Sequence, residues 1–431
     1  RVRRLPLSAK TPIKLALIGK YAKDPVVHGG GSGSVAPSFV PTPFNSIRAK
    51  LGLSGAPPAP PANCTGLAPI KGFDYHNTVD QTQAAASSVE QCCDLCAKRT
   101  LPLCFFFTHK GGTCWMKGSD SNQIGDSDAT SGSCRGPVPQ APDCDASGTT
   151  CVYYDDGSDI TRAAQLAESV DAAIVFVATT SHEGGDRDSL SFDGNADELV
   201  ISVASGAAKT IVAAVAPGHV LTPWRESVDA ITLGFFPGQE YGNALTDVLF
   251  GDVNPSAKLP ITMPKIENEM QFAPTMWPGI KNTSAPRVSV YSERLNVGYR
   301  WYHTHGVAPA YAFGHGLSYT TFSITNLTVS ALTVSFEVSN AASGVVGSCV
   351  AQLYLTFPKS AEEPPKQLKR FWKAELKPAE KVTVEFALED RDLSIWDVKS
   401  TSWSKISGTF GVAVGQSSDD PDAQVASLIV A

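Results

Sequence analysis

Apolar and polar positions along this chain follow two different periods. In the first part, short and almost fully apolar runs alternate with stretches of helical spacing. Lys14–Gly19 (KLALIG), Cys151–Asp156 (CVYYDD), Ala172–Ala178, Thr210–Val215 and Ala230–Phe236 read as strands. Thr161–Val170 and the segments near Asp197–Ala208, Pro223–Val228 and Tyr241–Phe250 read as helices. This alternation predicts an α/β sandwich, a mostly parallel sheet with helices on both faces. Ligands of such sheets sit on loops beyond the carboxyl ends of the strands. One such loop is His28–Val35 (HGGGSGSV), in which His28, Gly29, Gly30, Gly31 and Ser32 form a candidate rim. Another is Ser181–Leu190 (SHEGGDRDSL), which carries Glu183. From about Phe322 the period falls to two, in Leu332–Val338, Val350–Phe357, Lys381–Ala387 and Gly408–Val414, and predicts a β-sandwich.

Composition divides the chain further. Ala56–Ala62 (APPAPPA) is a stiff linker, and a second proline-rich stretch runs over Gly136–Pro142. The expected organisation is an α/β domain over 1–55 and 145–265, an insert over 56–144, a connecting segment over 266–321 and the β-sandwich over 322–431. Nine of the ten cysteines lie between Cys64 and Cys151, with Cys349 apart, which reads as a disulfide framework in a small domain. Cys92-Cys93-x-x-Cys96 has no second CxxC to complete a zinc knuckle. Sequons at Asn63, Asn282 and Asn326 join the cysteines in predicting a secreted or cell-surface glycoprotein.

A net charge of −7 with no basic patch argues against a nucleic-acid partner. No apolar run approaches the length of a membrane span. Arg1-Val2-Arg3-Arg4 reads either as a dibasic processing site or as an arbitrary boundary.

Individual constellations say less. HGGGSGSV lacks the Lys-Ser/Thr of a P-loop and the spacing of a dinucleotide site. His303, His305 and His315 are a weak metal signal, and no metal or cofactor is expected. Ser181 has no nucleophile elbow around it. Glu183 lies beyond a buried strand and beside two glycines, as a functional carboxylate would, yet with Asp186, Arg187 and Asp188 it also reads as a surface ion-pair cluster.

The ordered series LALIGKYAKDPVVHGGGSGSV, YYDDGSD, AAIVFVATTSHEGGDRDSLSF, FFPGQEYGNALTDVLFGDVNPSAKLPITMP, VGYRWY and YAFGHGLSYTTF resembles the C-terminal half of glycoside hydrolase family 3, the β-glucosidase family. VAQLYL, PPKQLKRF, LKPAEKVTVEF, LEDRDLSIWD and GTFGVAVG resemble its fibronectin-III-like domain. The resemblance implies retaining hydrolysis of terminal β-glucosyl residues, with Glu183 as general acid/base. The nucleophile aspartate would come from a (β/α)8-barrel polypeptide that this chain does not include, the carbohydrate substrate lying between them. The acid needs a raised pKa, so Arg187 is expected to turn from Glu183 and brace the loop through Asp186 or Asp188. Many relatives carry an aromatic residue two positions after the glutamate, where this chain has Gly185. SVEQCCDLCAKRTLPLCFFFTHKGGTCWMKG resembles a PAN/apple domain. That resemblance implies pairs Cys64–Cys134, Cys92–Cys114 and Cys96–Cys104, leaves Cys93, Cys144, Cys151 and Cys349 unassigned, and implies an extracellular protein or glycan ligand. The competing reading is a non-catalytic glycoprotein that uses the same scaffold for binding.

Overall fold

A computed structural model describes residues 5–53, 70–75, 82–98, 106–117, 123–133, 143–280 and 287–431. Five parallel strands build its first sheet: β1 (Lys14–Ile18), β2 (Cys151–Asp155), β3 (Ala172–Ala178), β4 (Thr210–Val215) and β5 (Ala230–Gly234). Their order is β5-β4-β3-β1-β2, and the short antiparallel strand Asp143–Cys144 pairs outside β2. β3 is buried at every position, as a strand covered on both faces must be, so it reads as a continuous apolar run.

Helices α1 (Pro43–Lys50) and α4 (Tyr241–Phe250) cover one face, with Phe44, Ile47, Leu245 and Leu249 against Leu15, Leu17 and Ile174. Helices α2 (Ile160–Glu168) and α3 (Ala196–Gly206) cover the other. Local chemistry sets their ends. Thr42 caps α1 by accepting from the Asn45 amide, with Pro43 at the first helical position, and Asp159 caps α2 through the Arg162 amide.

The expected helix near Pro223–Val228 is absent. Six residues cannot carry the cost of nucleating a helix in isolation. The stretch instead makes turns closed by Arg225 N–H to Thr222 O and Ser227 N–H to Trp224 O. Trp224 is 1% exposed and donates through Nε1 to Asp197 Oδ1 at 2.7 Å, pinning the crossover to the first turn of α3.

The described part of the insert is a five-stranded antiparallel sheet of Ile70–Tyr75, Gln123–Ser133, Phe106–Lys110, Thr113–Lys117 and Thr82–Ala85, with the helix Val89–Lys98 against it. Cys92 and Cys114 are bonded, and Cys96 also lies in a disulfide. Cys64, Cys104 and Cys134, and the sequons at Asn63 and Asn282, fall outside the described residues. Of the cysteines without an assigned partner, Cys144 bonds Cys151 at the edge of the first sheet, while Cys349 is free and buried in the C-terminal core.

That core lies between a three-stranded sheet (Phe322–Ser330, Thr333–Asn340, Lys381–Ala387) and a four-stranded one (Gln367–Leu376, Gly347–Thr356, Gly408–Gly415, Gln424–Val430). Asn326 is exposed at a bulge in its strand, with φ of 57°. Polar side chains tie the sandwich to the segment before it. Asn254 accepts from Ser318 Oγ and the Tyr319 amide and donates to Val346 O; buried Gln352 donates to Gly314 O and Gln416 O. No helix among the described residues is long and apolar enough to cross a membrane.

Candidate active site

The chain enters the sheet at β1, steps outward to β2, then returns across β1 to place β3 on its other side. The strand order therefore reverses between β1 and β3, and the loops leaving their carboxyl ends stand at the position where open α/β sheets bind ligands. One of these loops holds His28–Ser32 and the other holds Glu183. The two stretches singled out separately in the sequence are neighbours in space.

Their contact is made through backbone. The Gly30 amide donates to Ser181 O at 2.9 Å, and the Ser32 amide donates to Glu183 Oε2 at 3.0 Å. This approach leaves no room for side chains. A Cβ on Gly29 would stand 2.7 Å from the Phe236 ring, one on Gly30 2.7 Å from His182 Cβ, and one on Gly31 2.5 Å from Glu183 Cβ. Gly31 also has φ of 63°, a left-handed conformation that suits glycine. His28 is half-buried, its Nδ1 facing its neighbour's carbonyl, Gly29 O, at 2.7 Å.

Glu183 is exposed, and hydrogen bonding from Ser32, first through its hydroxyl and then through its backbone N–H, holds the carboxyl below its usual value. In this chain by itself the group is a fixed carboxylate, ready to accept a proton rather than to give one. The His182 imidazole lies over Gly185, where a Cβ would meet its Cε1 at 2.6 Å. The ring thus fills the space a side chain at 185 would need.

Arg187 does not pair with Asp186 or Asp188. Its Nη2 donates to His219 O, on the loop after β4, at 2.5 Å, and Glu267 and Asp193 are the carboxylates whose charge acts on it. Asp186 and Asp188 stay exposed, where water solvates them as well as a flexible ion pair would. Arg187 is partly buried, and its stem turns inward to a carbonyl that needs a donor. Its side chain thus links the Glu183 loop to the loop after β4.

Three residues that sequence reasoning passed over complete the surroundings. Phe236 packs on Gly29, Gln239 accepts from the Ser38 amide and hydroxyl at 3.1 Å, and Glu267 accepts from the Leu190 amide. The first two sit on the loop after β5, whose position beside β4 could have suggested them. Among the described residues no group of three or more His, Cys, Asp and Glu side chains could hold a metal ion.

The profile of the glycosyl hydrolase family 3 C-terminal domain matches residues 2–319. The chain belongs to glycosyl hydrolase family 3. A fibronectin type III-like domain matches residues 349–418. Among curated proteins, a probable beta-glucosidase G of Aspergillus flavus is 40% identical over 281 residues, which is 58% of this chain and 34% of that protein. A probable beta-glucosidase L of Aspergillus terreus is 38% identical over 297 residues, 61% of this chain and 39% of that protein. Among solved structures, the beta-D-glucoside glucohydrolase of Trichoderma reesei superposes with a TM-score of 0.67 at 26% identity, covering 100% of this chain and 53% of that one. A beta-glucosidase of Streptomyces venezuelae in complex with D-glucose gives 0.70 at 25% identity, covering 99% and 57%. The chain thus matches about half the length of these two solved structures and a smaller share of the curated relatives.

Proposed function

We propose that this chain is the acid/base half of a secreted, retaining β-glucosidase-like exoglycosidase, and that Glu183 is the general acid/base. The observation that carries the reading is the clamp at the β1/β3 switch point, where Ser32 N–H fixes Glu183 Oε2 at 3.0 Å. A glycosidic oxygen leaves poorly unless protonated, and retention calls for a second carboxylate about 5 Å away that attacks the anomeric carbon. A barrel polypeptide would supply that nucleophile and most of the sugar pocket.

Proton economy follows from the two states of Glu183. Alone, with Ser32 bonded to it and water around it, the carboxyl is ionised. Bringing a second carboxylate close and excluding water both disfavour the charged form and raise the pKa toward the range a catalytic acid needs. The proton goes to the leaving oxygen, and the resulting carboxylate then draws a proton from the water that cleaves the glycosyl intermediate. Arg187, held on His219 O, keeps its charge from opposing that rise.

An apolar surface supports the barrel reading. Ile266, Trp277, Ile280, Tyr291, Leu295 and Val297 in the connecting segment are each more than half exposed. The segment joins the site directly, because Glu267 accepts from the Leu190 amide of the Glu183 loop. So much exposed apolar side chain in one stretch fits a protein interface. The insert, read as apple-like, would bind an extracellular protein or glycan.

The deciding experiment is Glu183→Gln in the chain assembled with its barrel half. On alkyl glucosides and disaccharides the loss expected for removing a general acid is about 10²–10⁴-fold. Activated aryl glucosides, whose leaving groups need little protonation, should retain glycosylation. Equal rates on alkyl glucosides for variant and parent would overturn the assignment.

A further inference from the structure

Far from the Glu183 loop, the strands Ser394–Asp397 and Ser402–Lys405 pair only with each other and belong to neither sheet of the sandwich. Trp396 and Trp403 face each other across this hairpin, ring centroids 5.5 Å apart and planes at 61°. They remain 48% and 46% exposed. Cross-strand aromatic pairing explains why the hairpin forms. It does not explain why so much indole surface is left in water.

The hairpin is held rigidly from beneath. Ile395 and Ile406 pack on the sandwich core, and buried Asp392 accepts from Arg370 Nη1 at 2.6 Å. Its tip is closed by Asp397, which accepts from the Lys399 amide at 2.9 Å and from Ser400 Oγ at 2.8 Å. The Arg391 guanidinium lies over the Trp403 ring and takes up part of its surface. Trp396 has no such cover among the described cation–ring contacts, so it offers the more open ring.

The polar surroundings identify the kind of ligand. Arg370, Arg391, Lys399 and Lys405 stand with Glu389, Asp390, Asp392 and Asp397, four cations against four carboxylates, with Lys405 Nζ bonded to Asp390 Oδ1 at 2.6 Å and Arg370 to Asp392. Such a balance gives no field to attract an anionic polymer. The exposed Arg391 guanidinium over Trp403 supplies hydrogen-bond donors beside the rings, while Ser402 and Ser404 alternate with Trp403 and point to the other side of the hairpin. A preformed aromatic platform with guanidinium donors beside it and no net field around it suits a neutral polyhydroxyl chain. β-Linked glucose matches best, because its equatorial hydroxyls leave both ring faces lined with C–H groups that stack on an indole. The geometry points to this hairpin as an accessory β-glucan-binding surface, with Trp396 as its platform, separate from the Glu183 site.

Native electrophoresis of the 431-residue chain through gels containing soluble mixed-linkage β-glucan tests this directly. The parent should be retarded relative to a glucan-free gel, and Trp396→Ala should weaken binding about tenfold, the order expected for losing one stacked ring. Trp396→Tyr should restore much of it. Glu183→Gln should bind like the parent, so the result stands whether or not that residue is catalytic. Should Trp396→Ala unfold, titrating the parent with cellopentaose gives the same answer: the indole N–H resonances of Trp396 and Trp403 should shift together. An unretarded parent, or a Trp396→Ala chain retarded like the parent, would overturn the proposal. So would a Trp396→Ala chain that keeps its glucan affinity and loses only its association with the barrel half.

Discussion

Replacing Gly31 by alanine isolates the geometric core of the site. The backbone there has φ of 63°, and a left-handed conformation costs a residue with a Cβ about 1–2 kcal/mol. The new methyl group would stand 2.5 Å from Glu183 Cβ. Carbon atoms rest about 3.5–4 Å apart, so one loop must retreat by about 1 Å. Misplacement on that scale costs a catalytic group about 10²-fold in rate. The perturbation lies in exposed loops beyond the strands, so melting should fall by only a few degrees, the amount the backbone strain itself accounts for. Glu183 should also lose part of the Ser32 hydrogen bonding that depresses its pKa, and its carboxyl should titrate higher in the isolated chain. The assays are carbon-detected NMR titration of the Glu183 carboxyl, and kcat on alkyl glucosides for the chain assembled with its barrel half. A Gly31→Ala chain with the parent's carboxyl titration and kcat would refute the claim that this contact sets the position of Glu183.

Three further outcomes follow. Gly185→Trp should expel the His182 ring from the space it fills and alter KM for disaccharides more than for small aryl glucosides, measured as a kcat-against-KM split; the lack of a positive φ at 185 makes the change tolerable to the backbone. Reduction should open the insert before the α/β domain in limited proteolysis, because Cys92–Cys114 closes a 22-residue separation worth roughly 3 kcal/mol in loop entropy and the described apolar cluster around it is small. Trp224→Phe removes the donor to Asp197 at 2.7 Å and should lower stability by about 1–3 kcal/mol in urea denaturation, with no change at Glu183.

Different parts of the molecule were legible in the sequence to different degrees, for physical reasons. Ala172–Ala178 and Thr210–Val215 are strands over the expected residues because both their faces are buried, which writes an unbroken apolar run bounded by polar ends. The Pro223–Val228 stretch misled because Trp224 serves a tertiary anchor rather than a helical face. The Trp396–Trp403 hairpin is not legible because its buried Ser394 and partly buried Ile395 are adjacent and leave no alternation to notice. Both loops of the site were visible, but their contact was not, since Ser32 and Glu183 meet only through strand order. Arg187 was misassigned because sequence shows its neighbouring aspartates and hides the His219 carbonyl beneath it.

The central strand β1 and its neighbour β2 are separated by the whole insert, roughly ninety residues between Leu53 and Asp143, yet Arg48 on α1 reaches Asp143 where the chain returns. The two ends of the excursion are thus clasped on the host domain. Shortening it to about ten residues would alter the closure entropy by only about 2 kcal/mol. A chain with the insert spliced out should therefore assemble the same sheet and the same Glu183 clamp, faster because its middle strand no longer waits on so distant a partner.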